Sequence, residues 1–223
     1  AASVGGSIYQ ATLWALDRLA FAELGPLLPA YLGTSFNPLF DANATTLGRA
    51  TPPLLAALRS GDTAPFGPER PAATILHEAF AAGVAQLRGQ LGDDVSTWYW
   101  GRLHQVAFPH ALAVIPALDK LFSLGPLPLG GDTDTVCQLG FHPDQGFASP
   151  AFGPSFRQVL DVGNWDNSRS ILHTGQSGHL ASPHYRDYVS LWRRGEYHPQ
   201  LWTRARVEQA QVARLVVRPK DNP

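Results

Sequence analysis

The chain contains no methionine and begins with alanine, so we expect a processed or cut polypeptide rather than an intact translation product. It has one cysteine, Cys137, which excludes an internal disulfide and a Cys-x-x-Cys zinc site. We expect Cys137 to be a small buried apolar residue. Charged residues make up 16% of the 223 positions, below the ~25% of an average domain. This low charge predicts a surface that is partly covered by further polypeptide.

The charges are balanced, with 17 basic and 18 acidic residues and no block of like charges. This balance excludes the basic surface that nucleic-acid binding requires. No apolar run approaches the ~18 residues that a membrane-spanning helix needs. No secretory signal opens the chain, so a signal peptide would have stood upstream. We therefore expect neither nucleic acid nor membrane as a partner.

The first part, residues 1–92, is predicted to be mainly helical. A helix is expected from Ser3 to Leu24, because apolar residues recur there every three or four positions. A second helix is predicted from an N-cap at Thr51 to Gly61. A third is predicted from Pro71 to Gly92. Its expected core face is the apolar stripe Leu76, Phe80, Val84, Leu87 and Leu91.

The second part, residues 95–223, is predicted to be β-rich, because aromatic and β-branched residues replace alanine. The expected strands are residues 103–108, 156–162, 168–174 and 212–217, and the middle two form a hairpin. One helix is predicted near 183–194, with Ser182 as its N-cap and Gly195 after its end. The fold class is therefore α+β. Both parts are expected to belong to one larger domain.

The eight histidines do not show the spacing of a metal site, so a metal is not expected. An independent histidine metalloenzyme remains an alternative that stoichiometric metal in the purified chain would support. Asp132 and Asp134 lie two residues apart in a glycine- and threonine-rich turn. Backbone-capping turn chemistry explains this pair, while an acid–base pair and a calcium site are the functional alternatives.

The segment from Leu172 to Tyr185 is dense in polar groups. Gln176 and Ser177 stand between two glycines, and a capped helix start follows. Converging backbone N–H groups at such a place can hold an anion or an oxyanion. A nucleophilic role for Ser177 is disfavoured, because the pattern Gly-x-Ser-x-Gly is not met. A tight glycine turn that leads into a helix cap explains the segment without any function.

Four ordered motifs resemble the penicillin acylase family of N-terminal-nucleophile hydrolases, at the C-terminal end of its larger chain. They are residues 153–162, 175–178, 182–187 and 192–199. Residues 100–104, 109–110 and 131–136 and the helical start 2–25 agree with the same family. The resemblance covers nearly the whole chain.

This resemblance implies a four-layer αββα fold and a precursor, or zymogen, that cuts itself into a smaller (alpha) and a larger chain. The new N-terminal serine of the larger chain attacks an amide carbonyl, with its own α-amino group as base at a pKa near ~7.7–8.0. Substrates of the family are acyl amides of β-lactams, acyl-homoserine lactones or similar molecules, which connects it with antibiotic metabolism. No cofactor is implied, and a periplasmic or extracellular location is expected.

The sequence departs from a complete member, because residue 1 is alanine and the nucleophile and oxyanion residues are expected upstream. By resemblance this is a truncated or secondarily cleaved portion that is inactive alone and self-associates. Its expected partners are the rest of the larger chain, the smaller chain and a small-molecule amide substrate. The expected supporting residues of the parent's cleft are His173, Gln176, Ser177 and His184. The alternative is a non-catalytic binding or scaffold module of the same fold.

Overall fold

The structure is a computed structural model that describes residues 1–28, 45–67, 70–133, 135–141, 146–147, 153–217 and 219. It is an α+β structure in which helices come first and antiparallel strands follow, as predicted. The chain divides into two compact units, Ala1–Gly153 (unit 1) and Pro154–Pro223 (unit 2). The membership of residues 1–92 and 95–223 in one larger domain stays a prediction.

Unit 1 is built on three long helices, α1 (Val4–Ala20), α2 (Thr45–Ser60) and α3 (Ala72–Leu91). The Ser3 hydroxyl starts α1, because its Oγ accepts a hydrogen bond from the Gly6 N–H. Gly92, at a φ of 88°, ends α3 where the sequence predicts. Helix α1 packs against both α2 and α3, so it forms the centre of this unit.

The predicted core face of α3 is confirmed in part. Leu87 is fully buried and Val84 and Leu91 pack against the same cluster, but Leu76 and Phe80 are exposed. The buried residues of this helix are Ile75, Ala79, Gly83 and Leu87. The reason is the close approach of the two helices: a Cβ on Gly83 would lie 2.8 Å from the Ala11 carbonyl carbon. Small residues carry this contact, so hydrophobicity alone selects Leu76 and Phe80 in place of Ile75 and Ala79.

The predicted start of the second helix is also wrong. Helix α2 begins at Thr45, and Pro52 and Pro53 lie inside it. Thr51 is not an N-cap but a buried residue whose side chain contacts α1. Packing of α2 on α1 therefore overrides the proline signal.

A two-stranded antiparallel sheet completes unit 1. Strand β1 (Gln105–Phe108) pairs with β2 (Leu124–Pro128). The strand predicted from Leu103 starts two residues later, because a short helix α4 (Trp100–Leu103) occupies its beginning. Helix α5 (Pro116–Phe122) is part of the connection that joins the two strands along the chain. Short 3-10 helices span Ala22–Leu27, Ala64–Phe66, Val95–Thr97 and Ala111–Val114.

Unit 2 contains a three-stranded antiparallel sheet. Strand β4 (Arg169–Leu172) lies between β3 (Phe156–Val159) and β5 (His198–Pro199). The predicted hairpin of β3 and β4 is confirmed, in the register Phe156 to Leu172. Strand β3 ends before the predicted residue 162 because Asp161 starts a turn, in which its Oδ1 accepts from two following N–H groups.

The helices of unit 2 are short. A 3-10 helix (Pro183–Tyr185) and α6 (Val189–Arg194) replace the single helix predicted over 183–194, because Arg186 adopts a non-helical φ of −142°. The predicted N-cap Ser182 and left-handed Gly195 are confirmed. Another 3-10 helix spans Trp165–Asn167, and α7 (Arg204–Ala210) follows β5.

Two further expectations fail. Residues 212–217 form no strand and are exposed, because no strand of the described residues pairs with them. Cys137 is exposed rather than buried. Within the described ranges, no helix is long and apolar enough to cross a bilayer.

Candidate functional site

The site expected from the sequence lies in unit 2, in the loop between β4 and α6. Backbone hydrogen bonds close this loop: the Tyr188 N–H donates to the Thr174 carbonyl and the Ser177 N–H to the His184 carbonyl, both at 3.1 Å. A Cβ on Gly175 would lie 1.9 Å from the His184 carbonyl oxygen. Only glycine fits at position 175, so this glycine has a structural reason of its own, whereas Gly178 has open space around it.

The side chains of the predicted residues point to different partners. The Ser177 Oγ accepts from the His179 N–H at 3.1 Å, and the His184 Nδ1 contacts the Asp187 carboxylate at 2.8 Å. His173 packs edge-on against Trp192, and burial lowers the pKa of its imidazole. Gln176 is exposed. The loop therefore joins Ser177 and His184 through their backbones rather than through their side chains.

This arrangement lacks the elements of nucleophilic catalysis. In the part of the chain that the structure describes, the Ser177 hydroxyl bonds to a backbone amide and not to a base. Gln176, Ser177 and His184 lie in a loop that backbone hydrogen bonds close. Their supporting role, with that of His173, remains a prediction.

A second place, which the sequence analysis missed, is a cavity of about 480 Å³ in unit 1. It lies between the residues of α1 and α2 and the turn at residues 132–133. Its apolar wall consists of Leu13, Trp14, Pro52, Leu55 and Phe141. Its polar lining consists of Tyr9, Gln10, Asp17, Thr51, Arg59, Asp132 and Thr133.

Asp17 is the unusual residue of this cavity, because it is a carboxyl group with 0% exposed surface. Thr51 donates from its hydroxyl to the Asp17 Oδ2 at 2.8 Å, while Oδ1 has no hydrogen-bond partner among the described residues. Burial raises the pKa of Asp17 from 3.8 to about 7, and the Thr51 hydrogen bond opposes this change. The Asp17 carboxyl group is therefore protonated in most of the molecules just below neutral pH.

Asp132, at the other side of the cavity, is held by Gln10. The Gln10 Nε2 donates to the Asp132 Oδ2 at 2.7 Å, and the Asp132 N–H donates to the Thr135 hydroxyl. The Thr135 hydroxyl, rather than the Asp132 carboxylate, bonds to the backbone of this turn, and the expected bond of the aspartate side chains to their own backbone stays a prediction. The other carboxylate of the predicted pair, Asp134, lies outside the described residues.

His104 is a buried histidine near this cavity in the same unit. Its ring stacks on Trp100 with centroids 4.7 Å apart and meets Phe141 edge-on. A proton on Nδ1 can be donated to the Phe147 carbonyl at 3.4 Å, and Nε2 has no hydrogen-bond partner in the part of the chain that the structure describes. Burial lowers the pKa of His104 to about 4, against the opposing effects of that carbonyl and of Asp132. His104 is therefore neutral at physiological pH.

A sequence signal for the cavity exists in α1. Gln10 and Asp17 are seven residues apart, so they lie on one helical face, and Trp14 lies between them. A carboxylate beside such an apolar residue on a core helix signals a buried polar group. Its partner Thr51 comes from another helix and cannot be found by spacing. Among the described residues, no group of three or more histidine, cysteine or acidic side chains is placed to hold a metal.

The comparison with known proteins identifies the family. The family model described as penicillin amidase matches residues 1–209. The chain is 42% identical over 144 residues, or 63% of its length, to penicillin acylase 2 proenzyme of Pseudomonas sp. (strain SE83). It is 32% identical over 87% of its length to acyl-homoserine lactone acylase QuiP of Pseudomonas putida. The chain spans 17% and 24% of these relatives, respectively. Because the family model covers most of the sequence, the chain belongs to the penicillin amidase family.

Proposed function

We propose that the chain is the C-terminal portion of the larger chain of a penicillin-acylase-like amidohydrolase. The parent enzyme would hydrolyse the acyl amide bond of a non-peptide substrate, such as a β-lactam or an acyl-homoserine lactone. The observation that carries this proposal is the family match over residues 1–209 in a chain that spans 17–24% of its relatives. The name "proenzyme" of one relative supports processing of a precursor.

The chain by itself would not hydrolyse amides. The chain spans 17–24% of its relatives, so the serine nucleophile with its own α-amino base would come from another part of the parent. The Ser177 hydroxyl, held by the His179 amide, offers no replacement. The role of this portion would be structural, as support for the catalytic layers of a four-layer αββα fold.

The surface of unit 2 supports a role within a larger assembly. Strand β3 and the turn after it expose the apolar side chains Phe156, Val159, Leu160 and Val162. Exposed apolar groups of this kind mark surfaces that further polypeptide covers. The proposed partners are the rest of the larger chain and the smaller chain of the same precursor.

The test compares the full-length protein with the isolated 223-residue chain on a chromogenic phenylacetyl anilide and a fatty-acyl anilide. We expect turnover by the full-length protein and none above buffer by the isolated chain. Ser177→Ala in the isolated chain is the matched control. Turnover by the isolated chain that this substitution abolishes would place a nucleophile at Ser177 and overturn the proposal.

A further inference from the structure

The contact between α1 and α2 contains a buried carboxyl group that can lose its proton. Asp17 of α1 is 0% exposed, and the Thr51 hydroxyl of α2 donates to its Oδ2 at 2.8 Å. Its Oδ1 has no hydrogen-bond partner among the described residues. An ionised carboxylate that has a single hydrogen bond and no water is strongly unfavourable in a protein interior. The closed contact therefore favours the protonated form of Asp17.

The ionised form can be hydrated only after a movement of the helices. A cavity of about 480 Å³ borders Asp17, between the residues of α1 and α2 and the turn at residues 132–133. Asp17 nevertheless has no exposed surface, so water in this cavity does not reach the carboxylate. Separation of α1 and α2 at Asp17 would open the carboxylate to that water.

Helix α2 has a weak point in its middle. Pro52 and Pro53 carry no N–H, so two helical hydrogen bonds are missing there. The half of α2 that follows the prolines is held by Leu54 and Leu58, which are buried in a cluster with apolar side chains of α1 and α3. The half that precedes them, residues 45–51, can therefore move as a unit while the second half stays in place.

Burial, rather than a neighbouring charge, controls the proton of Asp17. Burial raises the pKa of Asp17 to about 7, and the Thr51 hydrogen bond is the opposing effect. The buried residues of α3, the other long helix that packs on α1, carry no charge. The titratable groups on the elements around Asp17 are exposed or line the cavity: Tyr9 and Arg18 of α1, Arg49 and Arg59 of α2, Asp132 of the turn, and Glu23 of the 3-10 helix after α1.

We propose that the contact between Asp17 and Thr51 is a pH-sensitive latch, in which loss of the Asp17 proton releases residues 45–51 of α2 from α1 while the rest of unit 1 stays folded. A released helical piece this short is not stable in water, so its amides become accessible to solvent. The inference does not depend on the proposed acylase function, because it rests on unit 1 alone.

The test is native-state hydrogen exchange of the 223-residue chain at pH 5 and pH 8, with and without low concentrations of urea. With a pKa of 3.8 for released Asp17 and of about 7 for latched Asp17, the opening equilibrium should rise roughly 90-fold from pH 5 to pH 8. We expect the protection factors of the Ala50 and Thr51 amides to fall by this factor. Their exchange at pH 8 should not respond to urea, because local release exposes little surface. The Leu58 and Ala79 amides should be better protected and should respond to urea, because they exchange by global unfolding.

Two variants sharpen this test. Asp17→Asn keeps the side-chain shape and has no proton to lose, so the protection of the Ala50 and Thr51 amides should be the same at both pH values. Asp93→Asn is the matched control and should behave as the wild type, because Asp93 is an exposed carboxylate of the same unit that pairs with Arg88. Three results would each overturn the proposal: wild-type protection of Ala50 and Thr51 that is equal at both pH values, a fall that persists in Asp17→Asn, or a fall that Leu58 and Ala79 share in size and urea dependence.

Discussion

Replacement of Asp17 by asparagine should stabilise unit 1, and more strongly at high pH. The carboxyl group is fully buried and has one hydrogen-bond partner, Thr51. Its pKa is raised from 3.8 to about 7, so the folded state holds the proton more tightly than the unfolded state. The protonated form therefore stabilises the fold below pH 3.8, and this stabilisation is lost as the pH rises to about 7.

The magnitude follows from the separation of the two pKa values. At about 1.4 kcal/mol for each pH unit, ionised Asp17 costs about 4 kcal/mol of folding free energy above pH 7. Asparagine has nearly the same shape and no charge to bury. We expect the stability difference between the Asp17→Asn variant and the wild type to widen by about 2 to 3 kcal/mol between pH 5 and pH 8.

The assay is urea unfolding at pH 5, 6, 7 and 8, followed by the fluorescence of the buried tryptophans Trp14, Trp98 and Trp100. The quantity compared is the difference in unfolding free energy between variant and wild type at each pH. The contribution of His104 is present in both proteins and cancels in this difference. Asp93→Asn, at an exposed carboxylate, is the control and should give a difference near zero at every pH. A difference for Asp17→Asn that stays constant from pH 5 to pH 8 would refute the reasoning.

The remaining predictions concern packing and acid stability. Gly83→Ala should destabilise unit 1 by about 1–3 kcal/mol in urea unfolding, because its Cβ would lie 2.8 Å from the backbone of α1. Gly89→Ala, with open space around it in the same helix, should instead stabilise by up to ~1 kcal/mol, and equal effects at both positions would contradict the close approach. Gly175→Ala should lower the hydrogen-exchange protection of the Ser177 and Tyr188 amides, whereas Gly178→Ala should leave it unchanged. From pH 6.5 to pH 4 the unfolded state protonates His104 before the folded state does, which should cost unit 1 about 3 kcal/mol, while protonation of buried Asp17 offsets this loss in every variant that keeps it. The stability difference between a His104→Phe variant and the wild type should therefore change by about 3 kcal/mol over this range, and a difference that stays constant would exclude this cause.

Local signals in the sequence predict the elements that depend on neighbouring residues. Helices α1 and α3 follow from apolar periodicity, with a terminal glycine for α3, and the hairpin of β3 and β4 follows from two strand patterns around a turn-rich segment. Ser182 and Gly195 mark their helix ends for the same reason. In these places local propensity and tertiary structure agree.

The failures occur where a distant residue decides the outcome. The core face of α3 depends on how closely Gly83 approaches α1, and neither helix reveals this alone. The sequence favours Thr51 as an N-cap, whereas in the structure its hydroxyl lies 2.8 Å from the Asp17 carboxylate oxygen. The segment 212–217 matches a strand pattern, but a strand also needs a hydrogen-bonding partner.

One candidate site follows from local sequence signals, and the other depends on residues that are far apart in the sequence. The loop around Gln176 and Ser177 can be recognised by its glycines and helix cap, and the structure shows it as a closed turn. The cavity at Asp17 is assembled from α1, α2 and the turn at Asp132, which are far apart in the sequence. A motif search therefore finds the first place and misses the second.

The most direct test of the central proposal is N-terminal sequencing and intact mass of the native full-length protein, combined with the amide hydrolysis assay. The proposal predicts two chains from one precursor, of which the larger begins with serine and carries this 223-residue sequence at its C-terminal end. The active preparation should contain both chains. A single unprocessed polypeptide without an N-terminal serine and without amidase activity would contradict the proposal and favour a non-catalytic scaffold of the same fold.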